Sequence, residues 1–215
     1  MVIQKRSKPP WEAPMSDSFR ILTVCTGNIC RSPLAEQLLK SRFQGVDQIE
    51  FDSAGTQAMV DDPMPEHSLR IARGLEILDS ELHRGKQLTE AHLDAADLIL
   101  AMDRGHRRQI VELSPRATRK VFTIREFKRL IDVTRDEDLR AEVIASDGTP
   151  VGKLRAAVEA ARLGRSDLSP LDNPDDDDVI DPYGKFEAVY DASAQQLIPV
   201  VEVVASYLRR AMEIG

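Results

Sequence analysis

The apolar positions change period along this chain, and each change marks an element. Ile21-Leu22-Thr23-Val24 is a short apolar run suited to a buried parallel strand, and Leu34, Leu38, Leu39 and Phe43 then recur at helical spacing, which predicts a helix over 33–44 with one side on a sheet. Residues 48–53 read as the next strand. Strand, helix, strand implies a right-handed parallel crossover, so the loop after the first strand lies at the carboxyl edge of the sheet, where open α/β folds bind ligands. Residues 60–66 are turn-forming, Gly55 suits a positive φ, and Leu69, Ala72, Leu75 and Leu78 predict a second helix. Leu98 to Met102 and Val121 to Ile124 read as the third and fourth strands, with a basic helix between them that carries Arg104, Arg107 and Arg108. Those arginines read as a solvated face.

The last third has a different grammar. Thr134 with Glu137 predicts a capping box ahead of Leu139, Val143 and Ile144, and Thr149-Pro150 opens a helix with Leu154, Val158 and Ala161 on one side and Gly164 as its stop. Two such short helices are not stable alone, so they must dock on the body or on a partner. Asp172 to Asp178 reads as an acidic, solvated linker, since consecutive aspartates lack the interspersed glycine of a calcium loop. From Lys185 onward Val189, Ala194, Leu197, Val201, Val204 and Leu208 predict a long closing helix, with a kink or break at Pro199. Residues 1–17 carry Lys5, Arg6, Lys8 and Trp11 but no period and no signal-peptide core, which predicts a flexible tail ahead of one domain over 18–215.

Composition narrows the classes. A chain of 215 residues buries a sizeable core without disulfide staples, and two cysteines in a single loop fit a reducing cytoplasm. No apolar run approaches 20 residues, so no membrane span is expected. A net charge of −7 argues against general nucleic-acid binding, which needs a basic surface.

The chemistry concentrates in Cys25-Thr26-Gly27-Asn28-Ile29-Cys30-Arg31-Ser32-Pro33, between the first strand and its helix. Pro33 suits a first helical turn and Ser32 a cap, so the loop aims backbone N–H groups into one small space. Those amides, the positive end of the helix and the Arg31 fork suit a phosphoryl group, and the same field favours a thiolate nucleophile at Cys25. A cysteine ending a buried strand is by itself more often a core hydrophobe. The spacing of Cys, five residues, Arg and Ser-Pro makes the difference. Cys30 reads equally as an inert packed thiol or a redox partner of Cys25. Ser53 reads as a turn hydroxyl or a contact to the loop. Nothing in the pattern calls for a cofactor, and His83 lacks the neighbours of a metal ligand.

The loop resembles the active-site loop of the low-molecular-weight protein tyrosine phosphatase family. Asp52-Ser53-Ala54-Gly55-Thr56, His83 with Gln87-Leu88-Thr89, Ala101-Met102-Asp103 and Asp181-Pro182-Tyr183-Gly184 resemble its further signatures, in the same order. The likeness covers most of 19–130 and 179–210, while about 132–178 has no counterpart in compact members. It implies a three-layer α/β sandwich with a four-stranded parallel sheet of order 2-1-3-4 and an inserted helical pair. It implies hydrolysis of a phosphotyrosine protein through a cysteinyl-phosphate, with Cys25 as nucleophile, Asp181 as general acid, and Arg31 with the loop from Thr26 to Ser32 holding phosphate. Asn28, Ser32, Ser53, His83 and Asp103 would support the loop, His83 by hydrogen-bonding Asn28 or Ser32. Ile29, Met59 and Tyr183 would wall the substrate ring, although Met59 and Gly184 stand where eukaryotic members usually place aromatics. For bacterial members the implied substrate is a tyrosine kinase of signalling or polysaccharide export, with the oligomeric state left open. A thiol-linked arsenate reductase and an inactive phosphate-binding module are the other classes. Protein arginine phosphatases resemble the chain almost as strongly; they carry threonine where Ile29 stands here, which favours a phenyl ring, whereas Gly184 points the other way.

Overall fold

In the computed structural model, which describes residues 18–77 and 79–215, every strand pairs in parallel. The flexible-tail expectation for 1–17, with Trp11, and the helix position Leu78 lie outside the described residues. Strand β1 (Phe19–Cys25) takes β2 (Ile49–Gly55) on one side and β3 (Leu98–Ala101) on the other, and β4 (Val121–Thr123) closes the expected order 2-1-3-4. The register sets Cys25 opposite Gly55 and Val24 opposite Ala101, so the strands end together at one edge.

Alternation along the strands divides the core. Phe19, Ile21, Leu98, Leu100 and Phe122 face α1 (Arg31–Arg42), with Leu38 and Leu39 packed in the same cluster. Leu22, Val24, Ile99 and Val121 face the other way, onto Leu93 of the short α3 (Glu90–Ala95) and Ile110 of α4 (Arg104–Leu113). Helix α2 (Glu66–Gly74) packs on the closing helix α8 (Glu187–Glu213), and Leu75 stands at its C-cap, outside the helix.

Several expectations need correction. Strand β2 extends through Gly55, whose φ is not positive; glycine is required there because a Cβ would sit 2.4 Å from the Thr26 carbonyl oxygen. The fourth strand stops at Thr123, where a capping box with Glu126 starts helix α5 (Ile124–Val133), an element the apolar run Val121 to Ile124 concealed. Thr134 donates to the Leu130 carbonyl instead of capping, and α6 (Asp136–Ala145) begins after Arg135 with no side-chain cap. Its Ile144 is exposed, while Leu139 and Val143 are buried.

The helical pair docks on the body. Helix α7 (Pro150–Leu163), capped by Thr149, adds Val151, Leu154, Ala157, Val158 and Ala161 to the larger core, against α5 and α8. Burying such aliphatic side chains contributes roughly 1.5–3 kcal/mol each, enough to hold helices too short to stand alone. Helix α8 runs unbroken through Pro199 because Leu197, Val201, Val204 and Leu208 keep one face in the core, and that burial outweighs one lost backbone bond. No described helix is long and apolar enough to cross a membrane.

Candidate active site

Seven residues carry the chain from Cys25 at the end of β1 to Arg31 at the start of α1, and Asn28 shapes the turn between them. It adopts a left-handed backbone with φ 55°, which asparagine tolerates better than most residues. Its side chain donates to Ser32 Oγ at 3.0 Å and Ser53 Oγ at 2.9 Å and accepts from the Lys86 amide at 2.8 Å. Its carbonyl accepts from His83 Nε2 at 2.7 Å. Burial lowers the pKa of His83, against the hydrogen bond to the Asn28 carbonyl, which raises it. Ser53 is therefore a loop contact, and its hydroxyl passes on to Glu36 Oε2 at 2.5 Å, a carboxyl whose pKa burial raises against that hydrogen bond.

Cys25 is buried, with its Sγ 3.0 Å from Ser32 Oγ and accepting from the Asn28 amide at 3.3 Å. Both contacts stabilise negative charge on sulfur. Ser32 thus does not cap the helix as expected: Cys30 occupies the cap position, and the serine lies inside the first turn, facing the thiol. Cys30 is a different kind of thiol. Burial pushes its pKa up to about 11, and it packs with Ile29 and Tyr190, so it is protonated at neutral pH.

Arg31 enters from the same turn with only 4 % of its side chain exposed. One terminal nitrogen reaches the Val179 carbonyl at 3.1 Å and Asp103 Oδ2 at 3.4 Å, the other reaches Asp181 Oδ2 at 2.9 Å, and its buried Nε has no acceptor among the described residues. A guanidinium held at both ends with one donor free fits an oxyanion. Asp103 also caps α4 through the His106 amide at 2.7 Å, and His106 Nδ1 lies 2.9 Å from Asp103 Oδ2. Burial pushes the Asp103 carboxyl up, but His106 and Arg31 outweigh it and hold the pKa below the ordinary value. His106 Nε2 meets Thr26 Oγ1 at 2.8 Å, closing a circuit from Arg31 through Asp103 and His106 back to the phosphate loop.

A cleft of about 220 Å³ opens at this edge, lined by Cys25, Thr26, Gly27, Ile29, Cys30, Arg31, Gln57, Met59, Asp181 and Tyr183. The structure therefore brings the expected nucleophile, arginine, acid and wall residues to one cavity, with Asn28, Ser32, Ser53, His83 and Asp103 close behind them. Gly184 adopts φ 70° with open space around it, and among the described residues that line the cleft Tyr183 is the one aromatic. Sequence reasoning missed His106, Glu36, Gln57 and the Val179 carbonyl; of these only His106 left a signal, three residues after a cap-forming aspartate. The acidic run is exposed over 172–176 as expected, but its partners were missed: Asp175 and Asp178 pair with Arg104, and Asp177 with Arg129, so neither the run nor Arg104 is simply solvated.

Residues 20–140 match the family model for low molecular weight phosphotyrosine protein phosphatase. The chain belongs to this family. It is a phosphomonoester hydrolase of that family, as the names of its relatives indicate. A protein-arginine-phosphatase of Geobacillus stearothermophilus is 34 % identical over 155 residues, covering 71 % of this chain and 90 % of the relative. The low molecular weight protein-tyrosine-phosphatase Etp of Escherichia coli K12 is 39 % identical over 102 residues, 47 % of this chain and 66 % of the relative. The solved YwlE arginine phosphatase of G. stearothermophilus superposes with a TM-score of 0.61 at 29 % identity, covering 89 % of this chain and 94 % of its own. The segment Asp181 to Gly184 lies beyond the residues matched by the family model, and Asp181 and Tyr183 line the cleft.

Proposed function

We propose that this enzyme hydrolyses phosphotyrosine in protein substrates through a cysteinyl-phosphate. One observation carries the reading: Cys25 and Arg31 from one loop and Asp181 from a distant part of the chain line the same cleft, with Asp181 Oδ2 2.9 Å from the Arg31 guanidinium. Cys25 Sγ attacks phosphorus in line with the phenolic oxygen, and the S–P bond forms as the P–O bond breaks. Arg31 and the loop amides hold the equatorial oxygens, where transition-state charge gathers. Asp181 gives its proton to the departing phenolate. It then takes a proton from the water that attacks the phosphocysteine, which releases inorganic phosphate and returns the thiolate to its donors on Ser32 and Asn28.

Ile29, Met59 and Tyr183 supply apolar surface for a phenyl ring, and this favours phosphotyrosine. The substrate class that goes with the reading is a cytoplasmic phosphotyrosine protein such as a bacterial tyrosine kinase of signalling or polysaccharide export, acted on by a single domain over 18–215 into which 132–178 is inserted. Phosphoarginine is the second reading, supported by the 34 % identity to an arginine phosphatase and by the open space at Gly184. Matched phosphotyrosine and phosphoarginine peptides separate the two. Phosphotyrosine is expected to give the higher kcat/KM, and Ile29→Thr to raise the phosphoarginine to phosphotyrosine ratio about tenfold or more, the size of one pocket contact. Faster turnover of phosphoarginine by the wild-type protein would overturn the substrate while leaving the Cys25 chemistry in place.

A further inference from the structure

The segment that carries Asp181 is tied down by arginines that touch neither the phosphate loop nor the cleft. Asn173 caps a short 3-10 turn, Pro174–Asp177, and the chain then runs along the sheet edge to the acid. At Asp178 it meets the start of α4. The main-chain amide of Arg104 donates to Asp178 Oδ1 at 2.8 Å, while the guanidinium of the same residue grips both carboxylate oxygens, at 3.0 to 3.3 Å, and also reaches Asp175. Two arginines of α5 complete the hold: Arg125 donates to the Asp178 carbonyl at 2.9 Å, and Arg129 pairs with Asp177 at 3.1 Å. The next residue, Val179, is buried; its amide donates to the Met102 carbonyl at 2.8 Å and its own carbonyl accepts from Arg31 at 3.1 Å. Asp181 follows two residues later.

We propose that Arg104 is a positioning residue for the general acid, acting through Asp178 as a latch that fixes where the strap leaves the sheet edge. The inference rests on the reading of Asp181 as the acid. Its physical content is one of registration. Arg104 directly follows Asp103, the residue that orients Arg31, so a single turn at the start of α4 sets both the phosphate-binding fork and the origin of the acid-bearing strap. Bidentate gripping by arginine together with a main-chain donor fixes angle as well as distance, which a lysine in the same place does not. A misplaced acid slows proton donation, and an error of about 1 Å in a reacting group costs up to 10²-fold.

The test compares Arg104→Gln, Arg104→Lys, Asp178→Asn and Asp181→Asn across a series of aryl phosphates. Leaving groups that need a proton, such as phenol, depend on the acid; nitrated phenols depend on it little. Arg104→Gln and Asp178→Asn are expected to lose about tenfold in kcat/KM on phenyl phosphate and less than about twofold on dinitrophenyl phosphate, with Arg104→Lys between wild type and Arg104→Gln. Hydrogen exchange over residues 172–183 is expected to speed up in both latch variants, a readout independent of the chemistry of Asp181. Unchanged exchange in that segment, or equal losses on all leaving groups in the latch variants, would overturn the latch. If Asp181→Asn shows the leaving-group dependence and the latch variants do not, the latch alone fails. If Asp181→Asn also lacks it, the acid assignment fails and the latch falls with it.

Discussion

Arg31 joins two regions that are held by different physics: the loop it ends and the strap it contacts through Val179 and Asp181. The phosphate loop is fixed from behind by short hydrogen bonds among groups with no solvent exposure: Asn28, Ser32 and Ser53 are each at 0 %, and Asn28 alone joins five partners across four segments. The acid-bearing strap is held at buried Val179 by main-chain hydrogen bonds, but its Asp178 end is held by an ion pair near water, with Arg104 at 42 % and Asp178 at 28 % side-chain exposure. Buried hydrogen bonds are costly to lose because the abandoned partner stays unpaired, about 1–3 kcal/mol for each. Exposed ion pairs contribute about 0–1 kcal/mol and weaken with salt. The loop is therefore rigid because breaking it strands polar groups, whereas the Asp178 end of the strap is well placed yet cheap to move. On the proposed mechanism the anion cradle uses the first property, and Asp181, which would give and take a proton in successive steps, uses the second.

The largest break in this contrast comes at Cys25, the proposed nucleophile. Cys25→Ala is expected to retain the fold and lose aryl phosphatase activity by on the order of 10³-fold or more. A residual rate above a few per cent would place the chemistry elsewhere. Next in size, Asn28→Ala removes the hub, strands Ser53, Ser32 and the Lys86 amide, and puts a non-asparagine side chain at φ 55°. A stability loss of about 3 kcal/mol is expected, or roughly 6–12 °C in Tm for a chain of this size, against less than about 1 kcal/mol for Asp178→Asn. Comparable calorimetric losses at the two sites would remove the distinction between buried and exposed support.

A finer prediction uses pH. Burial lowers the pKa of His83, so its neutral form belongs to the folded state and contributes stability above the ordinary histidine value of about 6.5, a contribution lost as pH falls from there through the lowered folded value. Stability curves of the wild type and His83→Gln are expected to converge as pH drops through that window; parallel curves would show that His83 does not titrate against folding. The smallest effect is that of salt on the strap. Raising salt from about 0.05 to 1 M, which shortens the screening length from more than 10 Å to about 3 Å, is expected to lower kcat/KM for phenyl phosphate more than for dinitrophenyl phosphate in the wild type, by about two- to threefold. The same change should leave the ratio flat in Arg104→Gln.

What the sequence made legible follows the same division. The loop could be read because its chemistry is local: strand end, cysteine, amides, arginine and helix start are contiguous, and the sheet order and the residues that touch the loop from behind, Ser53, His83 and Asp103, came with the resemblance. The strap was read as a solvated acidic linker because its partners Arg104, Arg125 and Arg129 lie 74, 53 and 48 residues away, beyond any pattern of spacing. Glu36 was missed since a glutamate on a helix between apolar turns looks like a surface residue until Ser53 is brought over it. Helix α5 hid behind a strand of only three residues, and its Thr123 to Glu126 capping box was the available signal. Pro199 was overvalued because a backbone donor is one bond, and the buried face of α8 is the sum of many contacts.

The claim on which the rest depends is that phosphate passes through Cys25. Acid quenching of the enzyme during turnover of dinitrophenyl phosphate, followed by mass spectrometry of the peptide spanning residues 21–31, tests it directly. A phosphate is expected on Cys25, at higher occupancy in Asp181→Asn because hydrolysis of the intermediate lacks its base, with Cys30 unmodified as befits a buried thiol at about 11. Steady product formation with this peptide free of phosphate at every quench time, or with phosphate on any other residue, would contradict the account.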